Sequence, residues 1–488
     1  MGRVLTNNTS AAYAREQTPG ILPGAPVWRQ LEPNSYGDAG ATITTVARNP
    51  ISRGRQRRKG TVTDLDSQFN FDGDLTLSHL EDFIEGFAFA RFAGGAVFAP
   101  TEVTDTSYKV QAGGALPAGA LVFARGFVNP SNNGLKPVVA GSTATDINVA
   151  GLVEEANVAA NAEVAVAGVR AGAGDLKIDA QGNLTSMTLD FTTLNLNPGQ
   201  AIWIGGEAAE NRFNGAANRG FVRVRKVEAN KLTIDKRNQA FSVDAGAGKS
   251  IDLYFGRFVR NVSQEHTDFL EQSYQFELAY PGLAVDGSES YEYLLGNYCN
   301  ELTVDMPLTN KATMSFGFIG LDTPPPTTVR APGADQAIIP NKTAAFNTTA
   351  DYVRLRITEI DETGLTTDFK SMNLSLNNNV GPEKVLGRLG ARYMNAGNFE
   401  VGLETQLIFT DARVVEAIRQ NQTVTLDFAM RNEDGAFLVD IAAVTLGDGS
   451  KEYPVNESVL INITCEAFAD PVLNTSLGIT IFPYVPKN

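Results

Sequence analysis

The stretch Phe69-Asn-Phe-Asp-Gly-Asp-Leu-Thr-Leu77 constrains this chain more than any other. Phe69, Phe71, Leu75 and Leu77 fall on one side of a period of two, and Asn70, Asp72, Asp74 and Thr76 fall on the other. A peptide that alternates in this way buries one face only as a strand. A helix signal follows at once. Ser78-His-Leu-Glu81 reads as a capping box, and Leu80, Phe83, Ile84 and Phe87 share one helical face. The pattern predicts a strand with acids on its open side, running into a helix.

The same succession occurs again. In Asn398-Phe-Glu-Val-Gly-Leu-Glu404, Phe399, Val401 and Leu403 oppose Glu400, Gly402 and Glu404. Thr410 or Asp411 then offers a cap, and Val414, Val415 and Ile418 offer an apolar stripe. Each acid-faced strand is preceded by a second strand pattern and a proline: Ala41–Val46 with Pro50, and Met372–Leu376 with Pro382. Proline and phenylalanine stand 19 positions apart in the first case and 17 in the second. Short β patterns also align by chance, but the shared order favours a tandem duplication. Between the copies, residues 322–346 carry three consecutive prolines and no periodicity, which predicts an extended linker.

The copies differ in one respect. In the second, Val424, Leu426, Phe428 and Met430 alternate directly after the helix, and Val459, Ile461, Ile463, Cys465 and Ala467 follow. In the first, the matching strands start only at Tyr274, so residues 101–256 read as an inserted β domain. Leu116–Phe123 and Leu196–Trp203 are alike, which suggests two related pieces within it, with Trp203 as a core residue. The predicted organisation is an N-terminal arm over 1–36, rich in proline. A first repeat spans 37–100 and 257–321, interrupted by the insertion. The linker and a second repeat over 347–488 complete the chain.

Composition removes several functions. The 488 residues allow roughly three domains, and 46 glycines with few helix-forming runs favour a β-rich fold. No apolar stretch approaches the roughly 20 residues of a spanning helix, and the first residues lack an apolar signal core, so neither membrane insertion nor export is expected. Cys299 and Cys465 cannot make a four-ligand zinc site and read as buried thiols. A net charge of −15 argues against a protein that coats DNA. His79 and His266 read as surface or structural residues. Ala245–Ser250 ends like a phosphate loop, but Val243 stands where that motif needs glycine. The acidic run from Asp64 to Asp74 fails the calcium-loop spacing. We therefore expect no catalytic, cofactor-binding or metal residue.

One loop is conspicuous. Arg48–Gly60 holds six of the 40 basic residues. It can bind nucleic-acid phosphates or act as a localisation tag, it can be a solvated loop, or it can dock on an acidic neighbouring copy. The acidity of the rest of the chain favours docking, with Arg53, Arg55, Arg57, Arg58 and Lys59 as the contact residues.

Arg3-Val-Leu-Thr-Asn-Asn-Thr9, Gly40–Pro50, Arg55–Gly60 and Thr63–Asp66 resemble the tail tube (major tail) proteins of long, non-contractile-tailed bacteriophages. Leu376–Asn379, Lys384–Gly390 and Phe399–Val401 are similar to the same family's tube repeat. The resemblance covers about 1–100 and 257–488. It implies a mainly β fold: two tandem β-sandwich or barrel repeats, each with a flanking helix, beside an inserted all-β domain that faces outward. It implies a structural, non-enzymatic virion protein without cofactors, assembled in the bacterial cytoplasm. Its partners would be itself, in stacked rings, other tail proteins such as the tape measure and terminator, and double-stranded DNA passing without specific binding. Two repeats per chain lower the expected ring from six copies to three. Asp72, Asp74, Glu400 and Glu404 are the candidates for the channel wall, against a reading in which they face outer solvent. The rival functions are a secreted β-rich carbohydrate-binding protein or hydrolase, and a capsid decoration protein.

Overall fold

The computed structural model describes residues 3–51, 53–54, 58–237, 239–339, 343–358, 368–410 and 412–487. The body is one antiparallel network of 15 strands. In its first half lie β1 (Ser10–Arg15), β2 (Trp28–Gln30), β3 (Ser35–Arg48), β4 (Arg58–Asp74) and helix α1 (Leu77–Ala88). After the insertion come β5 (Arg257–Arg260), β6 (Ser273–Tyr280), β7 (Ser290–Pro307) and β8 (Thr313–Gly320). The second half holds β9 (Tyr352–Thr358), β10 (Phe369–Asn377), β11 (Glu400–Ile408), helix α2 (Arg413–Arg419), β12 (Thr423–Asn432), β13 (Gly435–Glu452), β14 (Leu460–Ala467) and β15 (Gly478–Phe482).

The two halves are wired alike. Strand β3 pairs β4, β4 pairs β8, β8 pairs β7, β7 pairs β6 and β6 pairs β1. In the second half β10 pairs β11, β11 pairs β14, β14 pairs β13, β13 pairs β12 and β12 pairs β9. The halves meet edge to edge through β7 and β10, from Glu301 opposite Asn377 to Pro307 opposite Ser371. Apolar residues of both halves fill one continuous core. Phe69, Phe71, Phe83, Phe316 and Phe318 form its aromatic centre, with Phe71 and Phe316 stacked at 4.9 Å. Each buried phenylalanine contributes about 2–3 kcal/mol.

Helix α1 lies on this core through Leu80, Phe83, Ile84 and Phe87. Gly86 permits the approach, because a Cβ there would sit 2.6 Å from Cys299 Sγ. The cap differs from the expected one. Thr76, not Ser78, accepts from the His79 amide at 3.2 Å, because the strand stops at Asp74 and Leu77 is already helical. Ser78 bonds Thr343 instead, and Glu81 pairs Arg257 at 2.6 Å. In the second half Ala412 occupies the cap position without a side-chain bond; Asp411 lies outside the described residues.

The proline-rich segments are not peripheral. The expected arm over 1–36 supplies β1, whose Ala11, Ala12, Tyr13 and Ala14 are buried beside β6, and Trp28, which is 1% exposed. The expected linker lies against it: Trp28 Nε1 donates to the Pro332 carbonyl, and Ile338 exchanges backbone bonds with Trp28 and Gln30. A short apolar run without alternation suffices for a strand buried on both faces, which is why these residues read as irregular.

Among the described residues, strands between Val97 and Tyr254 pair only with one another, in a 10-stranded and a 3-stranded sheet. They enclose two cores, one built from Val103 to Val164 and one from Val169 to Phe255. A third core joins them to the second half. Leu121, Trp203, Phe221 and Tyr254 pack against Ala429, Ala436, Leu438 and Phe482. Arg223 reaches across it to Asp440 at 3.0 Å, and Arg354 and Arg356 donate to carbonyls of Phe221, Lys236 and Arg237 while both hold Asp427. Residues 101–256 are thus bolted to the body rather than tethered.

Candidate functional site

Six strands, in the order β4-β8-β7-β10-β11-β14, turn one set of side chains into the core and the alternate set outward. The outward set aligns in rows across the sheet. One row reads Asn70, Gly317, Glu301, Asn377, Glu400. The next reads Asp72, Ser315, Thr303, Ser375, Gly402, Glu466, and a third Asp74, Thr313, Asp305, Asn373, Glu404, Thr464. These rows hold seven acids, Asp72, Asp74, Glu301, Asp305, Glu400, Glu404 and Glu466, and no Lys or Arg. The remaining positions are Ser, Thr, Asn and Gly, with no aromatic or bulky apolar side chain.

The four wall candidates Asp72, Asp74, Glu400 and Glu404 therefore share one face of one sheet, although they come from opposite ends of the chain. Sequence reasoning missed Glu301, Asp305 and Glu466. Each alternates with buried residues in its own strand, and that signal was available. Asp72, Glu400 and Glu404 are exposed. Asp74 is partly covered; burial alone would raise its carboxyl, but hydrogen bonds from Lys311 and Asn34 outweigh it and hold the group below its ordinary value. The acidic face and the insertion lie on opposite sides of the core. The first backs on Phe69, Leu302, Leu374 and Leu403, and the second covers the far side of β13, whose Phe437 and Val439 line the same core.

A hairpin projects from this sheet. Beyond Ser67, β4 pairs only β3 among the described residues, from Ala41 opposite Ser67 to Arg48 opposite Arg58, a reach of roughly 25 Å. Its base is held by Lys384, which bonds Asp64 and Asp66 at 2.5 Å each, and by the Leu65 amide donating to the Leu389 carbonyl. The Lys384 hydrogen bond keeps the Asp64 carboxyl below its ordinary value. Arg53, Arg58 and Lys59 are exposed at the tip, whereas Arg55 and Arg57 lie outside the described residues.

The other singled-out residues have structural partners. His79 is buried, with Nδ1 3.1 Å from the Asp74 carbonyl, and His266 faces Asp268 at 3.6 Å. Lys249 donates to the Ala209 carbonyl. Both cysteines are buried, and burial pushes the Cys465 thiol up to about 12. Among the described residues, no His, Cys, Asp and Glu side chains cluster as a metal set, and no helix is long and apolar enough to cross a membrane.

The sheet thus presents an acid and small-polar face on one side and a packed core on the other. The family described as phage tail tube protein matches residues 6–467, and the chain belongs to that family. It is a structural protein of the virion tail. No curated protein matches the chain.

Proposed function

We propose that this tail tube protein serves a long, non-contractile tail. Three chains close into a ring of six tandem repeats, rings stack into a tube, and the acidic face lines the channel through which double-stranded DNA passes. The single observation that carries this reading is the register of the six-strand face. Seven acids and no base stand in aligned rows. Lys311, which reaches the end of these rows, is paired with Asp74, so the surface offers DNA phosphates little to release counterions against and the duplex slides rather than binds. The halves already pair edge to edge, which supplies the unit of a closed ring.

The insertion then lies on the outside, because it covers the opposite side of the core. The basic hairpin tip reaches an acidic surface of the next ring, and the tube ends meet the tape measure and terminator. The protein assembles in the host cytoplasm. Electron microscopy of the purified chain tests this: threefold rings with sixfold pseudosymmetry around an open lumen are expected, and six chains per ring would refute the count. Changing Arg55, Arg57 and Arg58 to Glu should leave folded subunits that no longer elongate. Normal elongation would remove the docking role.

A further inference from the structure

The ring leaves open which edges join neighbouring molecules, and the internal junction answers it. Strand β7 carries β8 on one side of its second half and β10 on the other. Strand β13 is its counterpart. Both hairpins to the following strand span the same distance, from Asp305 to Thr313 and from Glu452 to Leu460. Yet, among the described residues, the side of β13 that matches the β10 side of β7 is unpaired beyond Thr445. The counterpart of β10 is β3, which pairs β4 along one edge and, among the described residues, carries no strand on the other. The chain therefore ends in two open edges that are the two halves of a junction it already makes once.

We infer that β3 of one molecule pairs antiparallel with Gly447–Pro454 of the next, in the register of the β7–β10 junction. This rests on the ring reading above and names its contact surface. Superposing the shared ladders converts each internal pair into one between molecules. Glu301 opposite Asn377 becomes Gly447 opposite Thr42, and Val304 opposite Leu374 becomes Lys451 opposite Ala39. Two further pairs match like with like: Met306 opposite Met372 becomes Tyr453 opposite Tyr36, and Pro307 opposite Ser371 becomes Pro454 opposite Ser35. The exposed residues agree. Met372, Leu374 and Leu376 of β10 are each 2% exposed under the junction. In β3, Ala39, Ala41 and Ile43 of the matching face lie open, Ile43 at 57%, and Tyr453 is 74% exposed. Long, unprotected edges of this kind are what soluble monomers avoid and what strand addition uses.

Cysteine pairs test the register in the full chain. Facing residues of an antiparallel ladder lie within disulfide reach. A Cβ at Gly447 meets the Thr464 hydroxyl at 2.8 Å, which a turn of that side chain relieves. Thr42→Cys with Gly447→Cys should, after oxidation of assembled tubes, convert most of the protein to covalent dimers and closed trimers on non-reducing gels. Glu301→Cys with Asn377→Cys, the same pair inside one molecule, should close without covalent multimers. Thr44→Cys with Gly447→Cys, displaced by two residues, should give at least tenfold less multimer. Ala39→Cys with Lys451→Cys is an independent second pair should the first fold poorly. Rings that form normally while both registered pairs stay monomeric would overturn the edge assignment and leave the ring reading intact. A chain that forms no rings under any condition would overturn both.

Discussion

Arg223→Met probes whether the insertion is fastened to the body by charge as well as by apolar contact. Arg223 and Asp440 are each 5% exposed, and the guanidinium bridges Asp440 at 3.0 Å and Asp235 at 2.9 Å through two further bonds. Removing one partner of a buried pair strands the other charge, which costs about 3–5 kcal/mol. The penalty depends on pH in a defined direction. Burial raises the Asp440 carboxyl and Arg223 opposes that rise, so the variant raises it further. A carboxyl whose folded value lies above its unfolded value, about 3.9, costs stability once pH exceeds the unfolded value, and the cost is complete above the folded value. Lowering the pH through that window protonates Asp440 in the folded state and returns part of the loss. Urea unfolding of the full chain, followed by circular dichroism and by fluorescence of the two tryptophans Trp28 and Trp203, reads the effect. We expect Arg223→Met to lose about 3–5 kcal/mol at pH 7.5 and less as the pH falls toward the unfolded carboxyl value, about 3.9. The double variant Arg223→Met, Asp440→Leu should recover most of the loss, because the buried Asp440 charge is gone and the more exposed Asp235 keeps Arg225 at 3.3 Å. A single variant within about 1 kcal/mol of the parent at pH 7.5, or a double variant no better than the single, would refute the reasoning.

Deleting residues 101–256 behind a Gly/Ser linker should give insoluble or poorly folded protein unless Leu438 and Phe482, buried in the shared core, are also made polar; sedimentation and circular dichroism of the two deletions check this. Glu400→Lys with Glu404→Lys should leave assembly intact but make tubes hold duplex DNA at low salt, with a binding slope against log salt steeper by roughly one unit per phosphate engaged; filter binding across a salt series measures it. Gly86→Ala should cost about 1–3 kcal/mol, because the new methyl group would sit 2.6 Å from Cys299 Sγ in a filled core, and a thermal melt decides.

The acid-faced strands were legible in the sequence because alternation against a buried face is a local property. Val401 and Leu403 are buried and Glu404 is exposed, as their spacing predicts. The helix start was misplaced by two residues, since Thr76 belongs to the alternating pattern and to the cap at once. The fastening of the insertion was invisible. Arg354 lies 133 residues from Phe221, and Arg223 lies 217 from Asp440, so only the fold brings these groups together. The burial of Ala11–Ala14 was missed for a different reason. A four-residue apolar run is too short to show a period, and its partner strand begins at Ser273.

The insertion leaves the first half after α1, returns through β5 onto β15 of the second half, and shares a core with that half. Each molecule therefore carries a strut across its own internal seam. In mechanical terms the circumference of the ring proposed above would alternate stiff joints with compliant ones. Bending such a tube would collect strain at the unbraced joints, while each molecule, braced across its own seam, would move as a rigid stave.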